Sequence, residues 1–272
     1  MTSAGNSKTR PHLLIERGEG VLEITLNRPQ AANALSRPML AGLQAALEDA
    51  GRDDSVRAVL LSAEGPVFMA GGDLEVLEDI AAAARSGAPE PGRREVEAAN
   101  ALTRTMLALP KPVIAAVSGD AAGFGMSLVL AADYAVMARE ARLHIAYTRL
   151  GATCDGGMSH LLVRRLGPRA AFATVLEGRV DAPRAHALGL VHALAPGAEV
   201  RAEARAFAQV AARGPTRALG AFKSLLQEAA LNPLEGQFEA EAQAFARTAA
   251  MADFAEGVAA VRERRPARFN GR

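Results

Sequence analysis

Two glycine-rich turns and one aspartate hold the residues of this chain best suited to chemistry. They are Phe68-Met-Ala-Gly-Gly-Asp-Leu74, the stretch 118–132 with Gly119, Gly123 and Gly125, and Asp155 in Cys154-Asp-Gly-Gly157. Each turn reads as an apolar strand running into small residues and then a helix start, with 112–117 as strand and 126–132 as helix for the second. The first N–H groups of a helix have no intrahelical partner and lie at the positive end of its dipole, about half a charge, so an oxyanion is welcome there. Two such turns could grip one oxygen. Taken alone, a glycine-rich turn more often serves tight packing of a helix. Neither is a phosphate loop: no Lys-Ser/Thr follows, and the Gly-x-Gly at 123 and 125 lacks its third glycine. Asp155 stands before Gly-Gly and a helix-like run at 159–166, so it could cap that helix or serve a site.

The elements that must position these residues alternate through the first two thirds of the chain. Residues 12–16 and 21–27 read as a hairpin around Arg17-Gly-Glu-Gly20, and Ser36 caps a helix with Pro38 in its first turn and Leu40, Leu43 and Leu47 on one face. Residues 56–62 suit a strand buried on both faces and lead into the first glycine-rich turn, with a helix following at 74–85. Residues 86–92 read as a mobile loop and 95–109 as an amphipathic helix, and a further strand begins at Tyr134. From 198 onward the chain reads as helix throughout, with segments at 200–212, 215–230, 233–249 and 253–264. The division is thus 12–197 for binding and catalysis and 198–272 for a helical region whose Ala-rich faces suit its own parent domain or another subunit.

Charge and composition exclude several classes. Thirty-one Lys and Arg against 30 Asp and Glu leave almost no net field, which speaks against a general nucleic-acid or membrane-surface protein. The most apolar window, 121–132, falls well short of the ~20 residues of a membrane helix. One cysteine, Cys154, cannot form an internal disulfide, and residues 1–11 are polar without the apolar core of a secretion signal, so a cytoplasmic location is expected. Five scattered histidines, His144 and His160 among them, have no ligand spacing, so no metal site is expected.

The motifs also stand in a familiar order. Asn27-Arg-Pro29 followed by Ala32-Asn-Ala-Leu35, Phe68-Met-Ala-Gly-Gly-Asp73, Gly119 with Ala122-Gly-Phe-Gly-Met-Ser-Leu128, Ala131-Ala-Asp133, Asp155-Gly-Gly157 and Leu188-Gly-Leu-Val191 resemble the enoyl-CoA hydratase/isomerase (crotonase) superfamily from about Leu13 to the C-terminus. The resemblance implies an α/β crotonase (ClpP-like) fold, a superhelix of ββα turns in two roughly perpendicular sheets with a C-terminal helical trimerisation region. It implies a homotrimer or dimer of trimers. It further implies an acyl-CoA thioester substrate, coenzyme A being part of that substrate with no separate cofactor, and an enolate held by two backbone N–H groups.

Carried across by position, those donors are Gly72 and Phe124, the latter a departure because members usually have Gly or Ala there, and its ring is expected to narrow or redirect the acyl pocket. Such donors stabilise the thioester oxygen more as charge grows on it than in the ground state. The two glutamates used for water addition are replaced by Ser127 and Tyr147, neither a carboxylate base; Ser127 reads as a small helix-accommodated residue and Tyr147 as pocket lining able to donate a hydrogen bond to substrate. Asp155 matches the acid/base of ring-epoxide and some double-bond isomerases, and one carboxylate suffices to move a proton between carbons. Isomerase is therefore favoured over hydratase, with another acyl-CoA lyase or hydrolase as a further enzymatic alternative.

For substrate binding, Arg28 matches a position that meets the nucleotide phosphates, Ala32 and Ala70 match backbone contacts to pantetheine and adenine, and Phe245 and Arg264 match positions reaching the nucleotide of an adjoining subunit. Asp73 reads as a helix-start hydrogen-bonding partner beside the first donor rather than as a base. A non-enzymatic alternative, an RNA-binding crotonase homologue, takes 262–272 as a basic arm, against which the near-zero net charge speaks.

Overall fold

The computed structural model describes residues 11–272; the polar N-terminal stretch 1–11, expected to lack a secretion signal, lies but for Pro11 outside the described residues. The expected hairpin forms, with β1 (Leu13–Gly18) antiparallel to β2 (Val21–Leu26). Ser36 caps α1 (Arg37–Arg52), its hydroxyl accepting from the Met39 N–H. Thereafter the chain repeats a unit of two strands and helix. β3 (Ala58–Ala63) and β4 (Val67–Met69) precede α2 (Leu74–Arg85) and α3 (Glu90–Ala108); β5 (Val113–Val117) and β6 (Asp120–Ala122) precede α4 (Phe124–Ala131); β7 (Tyr134–Ala138) and β8 (Arg142–His144) precede α5 (Met158–Glu177). β9 (Arg179–Asp181), α6 (Ala182–Ala187) and β10 (Ala193–Ala195) complete the sheets. The first strand of each unit enters a six-stranded sheet ordered β1-β2-β3-β5-β7-β10, the second a four-stranded sheet ordered β4-β6-β8-β9.

Two local expectations are corrected. The glycine-rich stretches, expected to be turns, are partly strand: the first opens inside β4 and the second contains β6, each of three residues and too short to show a period of its own. The loop expected over 86–92 ends early, because Glu90 and Pro91 open α3, where a proline in the first turn costs no hydrogen bond.

The helical region is α7 (Val200–Arg213), α8 (Thr216–Glu228), α9 (Leu234–Ala249) and α10 (Ala252–Glu263). Its first helix lies against the six-stranded sheet: Val200, Ala204, Ala208 and Ala212 form a buried stripe of small side chains that lets α7 approach β3, β5 and β7. It also shields Glu23 of β2, which Arg201 and Arg205 pair from α7 while the Ser62 hydroxyl donates to it. A buried carboxylate on a central strand is tolerable only with such partners. No helix among the described residues is long and apolar enough to cross a membrane.

The second sheet matters most for function. β4, β6 and β8 are parallel neighbours, so their C-terminal ends, and the turns that leave them, lie side by side. Apolar but for Ser127, α4 is buried along its whole length. It packs so closely on β4 that a Cβ at Gly125 would stand 2.7 Å from the Met69 carbonyl oxygen. Gly125→Ala is therefore expected to push α4 off β4, lowering the unfolding midpoint by several degrees, on the order of 1–3 kcal/mol for an overpacked site; an unchanged melting curve would contradict this packing.

Candidate active site

The turn after β4 is held from one side by the segment that follows β2. The Ala70 N–H donates to the Ala32 carbonyl (3.0 Å), the Leu35 N–H to the Gly71 carbonyl (2.7 Å) and the Asp73 N–H to the Leu35 carbonyl (3.2 Å). These bonds flank Gly72 on both sides. Its own N–H has no hydrogen-bond acceptor among the described residues. Gly71 allows this geometry, with φ of +103° and the Ala122 carbonyl 3.3 Å from where a Cβ would sit.

The turn after β6 arrives beside it. Gly123 (φ +52°) donates its N–H to the His144 carbonyl of β8, and Phe124 begins α4. As a first helical residue Phe124 has an N–H without an intrahelical acceptor, and none of the described residues supplies one. A Cβ on Gly123 would meet Gly71 Cα at 3.5 Å and Tyr147 Cζ at 3.7 Å, so the two turns and the residue leaving β8 touch. The Phe124 ring, expected to crowd the acyl pocket, is instead only 1% exposed and packs under the 155–157 turn, where a Cβ on Gly156 would lie 2.8 Å from it. It shapes the site from behind.

Asp155 completes the group. The cap of α5 is Gly157, which makes no side-chain cap, so the capping role open to Asp155 is not the one it plays. Its Oδ1 accepts a hydrogen bond from the Tyr147 hydroxyl, and the fully buried Ser127 hydroxyl donates to the Asp155 carbonyl (3.1 Å). Tyr147 thus spends its donor on the carboxylate rather than keeping it free for a ligand. Burial pushes the Asp155 carboxyl above the ordinary carboxylate value, and the Tyr147 hydrogen bond partly opposes the rise. Burial, followed by the neighbouring carboxylate charge, drives the Tyr147 phenol far above its usual value, so it stays protonated and donating. No residue signal in the sequence announces this pairing, because it crosses a loop whose path is irregular.

The remaining candidates divide. Asp73 caps α2 by accepting from the Glu75 N–H (3.1 Å) and pairs with Arg28 at 2.5 Å. Burial raises its carboxyl, yet the Arg28 hydrogen bond and the Glu75 amide outweigh it, and the net position is below the ordinary value. Ala32 and Ala70 are bonded to each other through their main chains. α9 packs on α8 and α10, so Phe245, edge-on to Phe254 at 5.8 Å, and Arg264, which ends α10 in the left-handed region, stand apart from the turns within one chain. The basic C-terminal stretch folds back: Arg265 pairs with Glu256 and Glu263, and the buried Asp253 accepts from the N–H groups of Asn270 and Gly271. His144 pairs with Asp120 across β8 and β6 (2.8 Å), and no cluster of His, Cys, Asp or Glu among the described residues could hold a metal.

Two main-chain amides without acceptors and one half-buried carboxylate, gathered at the ends of parallel strands, suit a reaction that builds negative charge on an oxygen while moving a proton. The family model for enoyl-CoA hydratase/isomerase matches residues 16–272. The chain belongs to this family. As a member of the enoyl-CoA hydratase/isomerase family with the crotonase fold, it is an acyl-CoA-processing enzyme. Among its relatives, the 1,2-epoxyphenylacetyl-CoA isomerase of Escherichia coli K12 is 34% identical over 93% of this chain and 96% of its own length. The 2,3-dehydroadipyl-CoA hydratase of the same organism is 33% identical over 96% and 99%. The crystal structure of an enoyl-CoA hydratase from Polaromonas sp. JS666 superposes with a TM-score of 0.89 at 34% identity, covering 94% of this chain and 99% of that one.

Tyr147→Phe removes the one side-chain donor to the Asp155 carboxylate among the described residues and leaves the carboxylate with less to offset its burial. The acid limb of kcat/KM is expected to move to higher pH and kcat to fall about tenfold or more; an acid limb that stays in place would show that the hydroxyl does not support the carboxylate.

Proposed function

We propose that this chain is an isomerase of enoyl-CoA or ring-epoxide acyl-CoA thioesters, working with one aspartate as acid/base. The thioester carbonyl oxygen accepts hydrogen bonds from the N–H groups of Gly72 and Phe124. Asp155 takes a proton from one carbon, charge collects on the held oxygen, and the same carboxyl returns the proton to another carbon. Each amide is a donor present before the charge appears, and removing one such donor costs on the order of 3 kcal/mol in related oxyanion sites. The observation that carries this reading is that Asp155, unlike Asp73 with its Arg28 pair and helix cap, is the carboxylate near the two amides that no cation pairs among the described residues. Hydration wants a second group to orient and protonate water, and the places matching the hydratase glutamates hold Ser127 and Tyr147, both already bonded to Asp155. The raised Asp155 carboxyl also supports it, since a stronger base removes a carbon-bound proton more readily.

We propose in addition that the active form is a homotrimer or a dimer of trimers. Exposed Phe222 and Leu226 of α8, Leu234, Phe238 and Phe245 of α9 and Val258 of α10 support this, being large apolar side chains concentrated on the helical region.

Wild type and Asp155→Asn assayed by product analysis on 2-enoyl-, 3-enoyl- and ring-1,2-epoxyphenylacetyl-CoA thioesters test the assignment. Rearranged thioester of unchanged mass is expected from wild type, with turnover reduced about a hundredfold or more in the variant. A product heavier by one water would make the enzyme a hydratase, and full turnover by Asp155→Asn would remove Asp155 as the base. Loss of fold is separable. Because the folded state holds the Asp155 proton more tightly than the unfolded chain, its ionisation subtracts stability as pH rises past the ordinary carboxylate value. Asp155→Asn is therefore expected to melt at or above the wild-type temperature at pH 8, with the difference closing toward pH 4.

A further inference from the structure

Arg28 is tied down in a way that does not suit a phosphate contact. Its side chain is 17% exposed and that of its partner Asp73 11%. One guanidinium nitrogen, Nη1, donates both to the Ala34 carbonyl (2.7 Å) and to Asp73 Oδ2 (2.5 Å). Its main chain is held as well: the Arg28 N–H donates to Asn33 Oδ1 (2.7 Å), and the buried Asn33 donates its amide to the carbonyls of Glu64 and Val67, 2.8 Å each, at either end of the link into β4.

The surroundings have the wrong sign for an anion. Arg28 borders a cleft of about 510 Å³ whose wall carries four carboxylates, Asp73, Glu75, Glu78 and Asp79, against Arg28, Arg37 and His12. Arg37 is already paired with Asp79 and Glu95. A nucleotide phosphate entering there would meet more negative than positive charge.

The same contacts point elsewhere. Ala34 lies in the segment whose neighbours Ala32 and Leu35 hold the main chain on both sides of Gly72, and Asp73 is the residue after Gly72. We infer that Arg28 is a positioning residue: its guanidinium clamps the 32–35 segment to the 70–73 turn and so fixes the direction of the Gly72 N–H. A buried, hydrogen-bonded pair with an arginine restricts geometry as well as supplying energy, and Lys lacks the planar guanidinium to reproduce it. The pair also sets a pH limit. With the Asp73 carboxyl held below its ordinary value, the clamp is complete above the normal carboxylate range and is lost as pH falls through the lowered value.

This inference rests on the proposed role of Gly72, but one of its tests does not. Amide hydrogen exchange followed by mass spectrometry, without ligand, reads the turn directly: peptides covering 70–77 are expected to exchange about tenfold faster or more in Arg28→Met than in wild type. Asp73→Asn keeps an acceptor for the Glu75 N–H while breaking the charged pair, and carries the same expectation if Arg28→Met fails to fold.

Kinetics with a CoA thioester and with the matching pantetheine thioester, which has no nucleotide, supply the second reading. For Arg28→Met, kcat is expected to fall about tenfold to a hundredfold with both substrates while KM changes less than about twofold, the pattern of a displaced oxyanion donor. Arg28→Lys recovers at most part of kcat. A loss confined to KM that disappears with the pantetheine thioester and is restored by Arg28→Lys would make Arg28 a phosphate contact and overturn the inference, as would unchanged exchange over 70–77. If wild type turned over no acyl-CoA at all, the functional reading would fail while the exchange result still judged the clamp.

Discussion

The parallel ladder joining β4, β6 and β8 is the constraint from which the site is built. Three short strands pair side by side, so the chain leaves all three at one edge, and residues beyond each strand come within van der Waals reach of one another: Gly71 after β4, Gly123 after β6 and Tyr147 after β8, with Gly72 and Phe124 next along the first two turns. The ladder itself satisfies main-chain groups up to that edge and leaves the next ones without acceptors. A strand end followed by a helix start is thus a source of donors that costs the fold nothing further, because those N–H groups lack helix partners in any case. Because the donors are backbone atoms, their direction is controlled by the groups packed against the turn. The close contacts at Gly71, Gly125 and Gly156 therefore bear on where those donors point.

Asp155 stands under opposing demands. Burial behind the 155–157 turn makes its ionised form costly, while Tyr147 and the Ser127 bond to its main chain hold it in one place. The carboxylate is therefore less stable than it would be in water, the condition that raises its affinity for a proton. The Phe124 ring belongs to the same arrangement. Buried beneath Gly156, it fills the space under the turn that carries Asp155, so one residue has its N–H without an acceptor at the start of α4 and its side chain in support of the carboxylate's turn.

The helical region plays two parts that composition alone does not separate. α7 belongs to the packing of the six-stranded sheet, where it covers the polar residues Glu23 and Thr25 of β2 with its arginines. α8, α9 and α10 instead keep large apolar side chains exposed in a single chain. The C-terminal tail returns to Asp253 and to Arg57, which donates to the carbonyls of Gly214 and Phe269 and ties α8 and the tail to the start of β3.

Much of the local structure is legible in the chain itself. The bounds of α2, α7, α9 and α10 fall within a residue or two of those expected, because caps, proline and glycine stops and the 3.6-residue spacing of Leu and Ala are local signals. The order of motifs is likewise enough for the family, its fold and the set of candidate donors. Which groups meet is a matter of the folded chain only. Two three-residue strands lie hidden, wholly or in part, in the glycine-rich stretches, because their pairing partners are distant along the chain and pairing, rather than propensity, makes them strands. Asp155 could cap a helix or face a site by sequence; the path of the loop gave it to Tyr147. Arg28 carries the same charge whether it meets a phosphate or a carboxylate, and only the folding of residues 32–35 against the 70–73 turn put Asp73 within its reach.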